Sequence, residues 1–134
     1  MLPVHLDALR LFVHVLAAAV WVGGQFTLAG LLPAVRKLGP DAARSLARAF
    51  NRLAWPAFGV LVATGIWNVA AAAPSGDTKY DVTLAIKIGV VVLSGSAAAL
   101  HSVARSRRAL AAWGAVSGVA ALAALFFGVL LVER

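Results

Sequence analysis

Cysteine is absent from this 134-residue chain, and Met1 is its only methionine. The first absence excludes disulfides, iron–sulfur clusters and thiolate metal sites. The second removes soft thioether ligands for Cu(I). Charge is scarce too: 13% of residues are charged against 62% hydrophobic, and mean hydropathy reaches +0.91. A water-soluble domain of this length needs far more polar surface. Acidic side chains are the scarcest, 5 Asp and Glu against 12 Lys and Arg, which leaves a net charge of +7.

What is present is a set of apolar runs, and each is long enough to cross a bilayer, which takes about 20 residues. Four spans follow: about 6–35, 55–73, 81–104 and 109–132. They predict an all-α protein, a four-helix transmembrane bundle forming a single integral membrane domain over 1–134. The first run reads as a span and not as a secretory signal peptide. Asp7 and His14 stand where an apolar core belongs, and no small-residue cleavage site ends it. Between spans one and two lies a basic amphipathic stretch, Asp41 to Asn51, with Asp41 as its expected N-cap and Arg44, Arg48 and Arg52 at helical spacing. It either lies on the membrane surface or simply extends span two. Pro56 falls in the first turn of span two, where a proline is tolerated. Pro74-Ser-Gly-Asp-Thr is a loop signal.

The basic residues are unevenly shared. Arg36, Lys37, Arg44, Arg48, Arg52, Arg105, Arg107 and Arg108 fall after spans one and three; Arg10, Lys79, Lys87 and Arg134 fall on the other side. The positive-inside rule then puts both termini outside the cytoplasm, in a multi-pass protein of a bacterial-type cytoplasmic membrane. Membrane lipids are its expected surroundings. The surplus charge faces the anionic inner leaflet, which removes the case for nucleic acid. Gly114-x-x-x-Gly118 in span four allows close approach of another helix, within the chain or, as the alternative, in a homodimer.

The polar residues inside the spans point to a site. Asp7, Arg10, His14, Trp21 and Gln25 share one face of span one, with His14 and Trp21 nearly two turns apart. Such a face belongs inside the protein, since unpaired polar groups in hydrocarbon cost several kcal/mol, on the order of a lost hydrogen bond. On span three, Tyr80, Thr83, Lys87, Ser94, His101 and Arg105 form a stripe; on span two, Asn68 shares a face with Thr64 and Leu61. Counted from the outer ends, His14, Lys87 and Asn68 come to a similar depth. Each has a plainer reading: Lys87 snorkelling to headgroups, His14 bonding a neighbouring helix, Trp21 packing in the core, Trp55 and Trp67 anchoring at the interface. His101 falls near the basic inner end. A lone histidine among Ala17, Ala18, Ala19, Gly23, Gly24 and Gly65 suits haem b, which takes one imidazole and a flat space between helices. A mononuclear copper or zinc site wants three or four ligands at one depth, where only His14 supplies an imidazole.

These residues also carry a resemblance. His14, Trp21 and Gly24 in span one, Pro56 with Thr64-Gly65 in span two, and Lys87 early in span three resemble the CopD-like membrane domain and the HemJ-type protoporphyrinogen oxidases. The likeness touches three of the four spans. It implies a b-type haem with His14 and Lys87 as the functional pair. The run after Gly24, Gln25 to Pro33, is not the arginine-containing, aromatic-rich run of the HemJ-type chains and has no further histidine, so the likeness leaves haem binding open rather than implying porphyrinogen oxidation. The expectation is therefore a haem b protein with a redox or haem-chemistry role. His14 is the iron ligand; Trp21, Gly24, Lys87 and Tyr80 line the cofactor; Lys87 and Asn68 stand at the reacting side; the redox partner is unspecified. The alternatives are copper transport of the CopD type and a non-catalytic membrane assembly subunit.

Overall fold

The computed structural model describes residues 5–72 and 76–133. The expected class holds: the protein is all-α, and four of its helical stretches are long and apolar enough to cross a membrane, with mean hydropathies between 1.5 and 2.0 over their most apolar windows. By that measure it is a multi-pass membrane protein. The stretches belong to two compact units, Met1–Ala73 and Pro74–Arg134, each a helical hairpin.

The first span is α1 (Leu6–Ala18), a π turn (Ala19–Gly23) and α2 (Gly24–Arg36), run together without a break. A π turn closes i→i+5 hydrogen bonds and is rare inside helices. Nothing in the composition of Ala-Val-Trp-Val-Gly announces it. Gln25 supports it by donating its side-chain amide to the Trp21 carbonyl at 3.1 Å, so a polar group at membrane depth stays bonded within its own helix.

A short turn leads to α3 (Pro40–Ala71). The amides of Lys37, Leu38 and Gly39 reach back to Ala34, Val35 and Arg36 at 3.0–3.2 Å, which satisfies the last carbonyls of α2. Gly39 turns the chain at φ 110°, a conformation that favours glycine, and Pro40 opens the next helix. The basic amphipathic stretch is thus the beginning of span two and not a separate surface helix. The N-cap is Gly39, while Asp41 sits in the first turn with an exposed ion pair to Arg44 at 3.6 Å. Its 32 residues make α3 about 48 Å long, well beyond a hydrocarbon core of about 30 Å. Pro56 and Trp55 consequently lie in mid-helix. Pro56 removes one rung of the ladder there, since its nitrogen carries no hydrogen for the carbonyl four residues back.

Span two was expected to reach residue 73; its last residue and the following Pro74 and Ser75 lie outside the described residues. The second hairpin pairs α4 (Thr78–Val103) with α5 (Arg107–Leu130). Asp77 caps α4 by accepting from the Lys79 amide at 2.9 Å, and Ser106 caps α5 by accepting from the Ala109 amide at 3.1 Å. These caps start both helices two or three residues ahead of the apolar runs. The hairpin is joined by small residues. Ser94 donates to the Ser117 carbonyl and Ser117 to the Ser94 carbonyl, both at 3.0 Å, between side chains only 1% and 2% exposed. Gly95, Ala97, Ala120 and Ala121 are buried beside them. Lipid supplies no hydrophobic force between helices, so close backbone approach and reciprocal hydrogen bonds take that place.

Candidate functional site

The first hairpin stacks its polar and aromatic side chains in levels along the antiparallel pair α1–α3. His14 stands opposite Thr64 and Gly65, with its Nδ1 2.8 Å from the Thr64 hydroxyl. That hydroxyl in turn lies 2.7 Å from the Val60 carbonyl and 3.2 Å from that of Leu61. A carbonyl cannot donate, so the single hydroxyl proton occupies the short contact to Val60. Thr64 therefore receives from the histidine, and Nδ1 carries the ring proton. In the neutral ring this tautomer puts the remaining lone pair on Nε2. A donated Nδ1–H that fixes tautomer and orientation is the usual support of a metal-binding histidine.

Gly65 gives the ring its seat. A Cβ added there would stand 3.4 Å from His14 Cε1, so the imidazole rests against the backbone of α3. Ala17 and Thr64 are buried beside it, while His14 itself is half-buried.

One level inward, Trp21 is 3% exposed. Its ring centroid lies 4.4 Å from that of Phe58 and 5.7 Å from that of Trp55, and the latter two rings meet edge to face at 6.0 Å. Trp21 is thus the centre of an aromatic plug beside the His14 level. Trp55, expected at the interface, joins this plug because α3 begins fifteen residues before it. Further in, Gly24 admits the Phe50 ring: a Cβ on Gly24 would come within 2.5 Å of Phe50 Cε2. A hollow of about 410 Å³ lies here between α2 and α3, lined by Gly24, Leu28, Leu46, Phe50 and apolar neighbours. It sits on the far side of Trp21 from His14, so size alone does not mark the site.

One level outward, Arg10 pairs with Asp7 at 3.1 Å and lies over the Trp67 ring at 5.8 Å from its centroid. Asn68 follows Trp67, and its Oδ1 is buried without a hydrogen-bond partner among the described residues. His14 and Asn68, both expected at the site, thus share one hairpin, a helical turn apart.

Lys87 and Tyr80 belong to the second hairpin. A Cβ on Gly128 would stand 3.3 Å from Lys87 Nζ, so the ammonium lies against the last turns of α5, the end where helix carbonyls concentrate negative charge. Tyr80 lines a hollow of about 220 Å³ with Asp77, Lys79, Thr83, Leu130 and Leu131. His101 makes a structural bond: its Nδ1 donates to the Leu110 carbonyl at 2.8 Å, and its ring packs where Gly114 lacks a side chain. Gly114 therefore serves packing within the chain.

Sequence reasoning missed Thr64 as the partner of His14. The one available signal was Thr64-Gly65 itself, a hydroxyl and a gap side by side on the face that also holds Asn68. Among the described residues no group of three His, Cys, Asp or Glu side chains is placed to hold a metal ion. Comparison with protein-family models, curated proteins and solved structures finds no match to this chain.

Proposed function

We propose that this protein binds haem b through His14 and serves a redox or haem-chemistry role in the membrane. The observation that carries the reading is the bond from His14 Nδ1 to Thr64. It supports a ring with its proton on Nδ1 and Nε2 as the atom offered to iron, in an apolar hairpin where a histidine needs a use.

The residues present fit the group. Haem needs one protein nitrogen, and His14 offers it with its outer partner already in place. Gly65 leaves room for the imidazole against α3. When bound, haem b supplies a one-electron couple and an iron that interacts with small molecules. The protein's part is to hold His14 in one orientation, to keep the proton on Nδ1 through Thr64, and to close the inner side with the rings of Trp21, Phe58 and Trp55. A chelating copper site draws no comparable support, because among the described residues His14 is not joined by two further His, Cys, Asp or Glu donors. The charge bias also supports termini outside a bacterial-type cytoplasmic membrane. The test is direct: protein purified from a haem-replete host should show a Soret band and about one haem per chain. A colourless preparation that takes up stoichiometric copper would replace this reading.

A further inference from the structure

The hollow between α2 and α3 lies in the half of the first hairpin that the haem reading leaves unused. Its volume, about 410 Å³, falls in the range of pockets that hold a small molecule, about 300–1,000 Å³. Phe50 lines it by resting where Gly24 lacks a side chain. Leu31 and Leu53 stand on its rim, 50% and 60% exposed, so it opens sideways toward lipid. Along α3 the lining runs from Leu46 to Leu53, about 10 Å. That length fits inside one leaflet of a hydrocarbon core about 30 Å thick.

Cations gather at the same end. Arg36, Lys37, Arg44, Arg48 and Arg52 stand there against a single acid, Asp41, and that acid is already taken by Arg44 at 3.6 Å. Arg48 and Arg52 are exposed and adjoin Ala49 and Leu53 of the lining, about 100° round the helix. Gly24 meets Phe50, so in this antiparallel pair Arg48 comes level with about Phe26 and Arg44 with about Gly30. At that level α2 still turns an apolar side to its surroundings, with Phe26 49% exposed. One side of the hairpin is therefore apolar where the other carries guanidinium groups. An arginine at such a depth needs an anion brought to it.

We propose that this end of the first hairpin holds one anionic phospholipid, with an acyl chain in the hollow and its phosphate against Arg48 and Arg52. The lining suits a hydrocarbon chain, and a guanidinium pairs with phosphate oxygens through two parallel N–H donors. A phospholipid joins the two halves in the order found here. A zwitterionic headgroup brings a cation of its own to the arginines, so the net charge has to be negative. A soluble anion leaves the hollow unfilled, and a second copy of this chain brings the same excess of arginine. The site uses α2 and α3 beyond Trp21 from His14 and does not depend on haem.

The experiment counts the lipids that the full chain retains when released from mixed dioleoylphosphatidylglycerol and dioleoylphosphatidylcholine nanodiscs, read by native mass spectrometry. One phosphatidylglycerol per chain should be kept in preference to phosphatidylcholine by about tenfold or more, the effect of two cations beside an anionic headgroup. Arg48→Gln with Arg52→Gln should remove that preference. Arg105→Gln with Arg107→Gln, which takes as much charge from the other basic turn, should leave it. Ala49→Trp, which fills the hollow from an exposed position, should expel the lipid with every arginine in place. Glycerol 3-phosphate, an anion without chains, should not compete. Equal retention of the two lipids overturns the proposal, as does a preference that falls equally with either pair of arginines and so belongs to net charge. Full retention in Ala49→Trp, or displacement by glycerol 3-phosphate, overturns it too, by taking the acyl chain out of the site. A lipid-free dimer that Ala49→Trp dissociates would overturn it by giving the hollow to a second copy. The wild-type comparison of the two lipids stands by itself should a variant fail to insert.

Discussion

Replacing Thr64 by valine removes one oxygen and little volume. The hydroxyl accepts the Nδ1 proton of His14 at 2.8 Å while its own proton goes to Val60 at 2.7 Å. Valine returns the two carbonyls to the ordinary helix ladder, so α3 loses little. His14, itself half-buried, loses the acceptor that the buried Thr64 supplies. Stranding a donor there costs about 1–3 kcal/mol. Loss of the outer partner of a metal-bound histidine lowers affinity by about 10–100-fold, or about 1.4–2.8 kcal/mol, so the two routes agree. Haem titration of the purified apo-protein, read as affinity and absorption spectrum, measures the effect. Thr64→Val should weaken binding by that factor, and Thr64→Ser, which restores the oxygen, should recover most of it. Wild-type affinity and spectrum in Thr64→Val would show that the bond to Thr64 does not position a ligand, and the tautomer argument would fall.

Gly24→Ala should destabilise the first hairpin by about 1–3 kcal/mol, because its Cβ would stand 2.5 Å from Phe50 Cε2; thermal unfolding in detergent measures this, and Phe50→Leu in the same chain should restore much of it. Ser94→Ala with Ser117→Ala should lower the stability of the second hairpin by about 0.6–1.7 kcal/mol per lost bond, with no change in any haem spectrum. A reporter fused after Arg134 should be active only outside the cytoplasm; activity inside reverses the orientation.

The spans were legible because hydropathy and length alone specify a membrane helix, and α4 and α5 differ from their apolar runs only by the reach of the Asp77 and Ser106 caps. The amphipathic stretch was harder. Its polar and apolar faces suit a surface helix and a helix extension equally, and the decision rests on Gly39 and Pro40, which start one helix and leave no break before Trp55. The π turn was illegible because its extra residue is stabilised by a bond from Gln25 to Trp21, between residues that also suit an α-helix. At the site, helical spacing put His14, Arg10 and Trp21 on one face correctly. Spacing within one helix cannot tell which residue of another helix comes opposite. For that reason Thr64 as the partner of His14 and Trp67 as the partner of Arg10 emerged only from the pairing of α1 with α3.

The central claim is that His14 holds the cofactor, and its most direct test is the haem-to-protein ratio of purified His14→Ala beside His101→Ala. Alanine is well tolerated in an alanine-rich helix, so membrane insertion should be normal. His101 is a suitable control because its Nδ1 is committed to the Leu110 carbonyl at 2.8 Å in the α4–α5 turn. The account predicts that His14→Ala loses nearly all haem and its Soret band while His101→Ala keeps both. A full haem complement with an unaltered spectrum in His14→Ala, together with loss in His101→Ala, would contradict it and move the iron to the second hairpin.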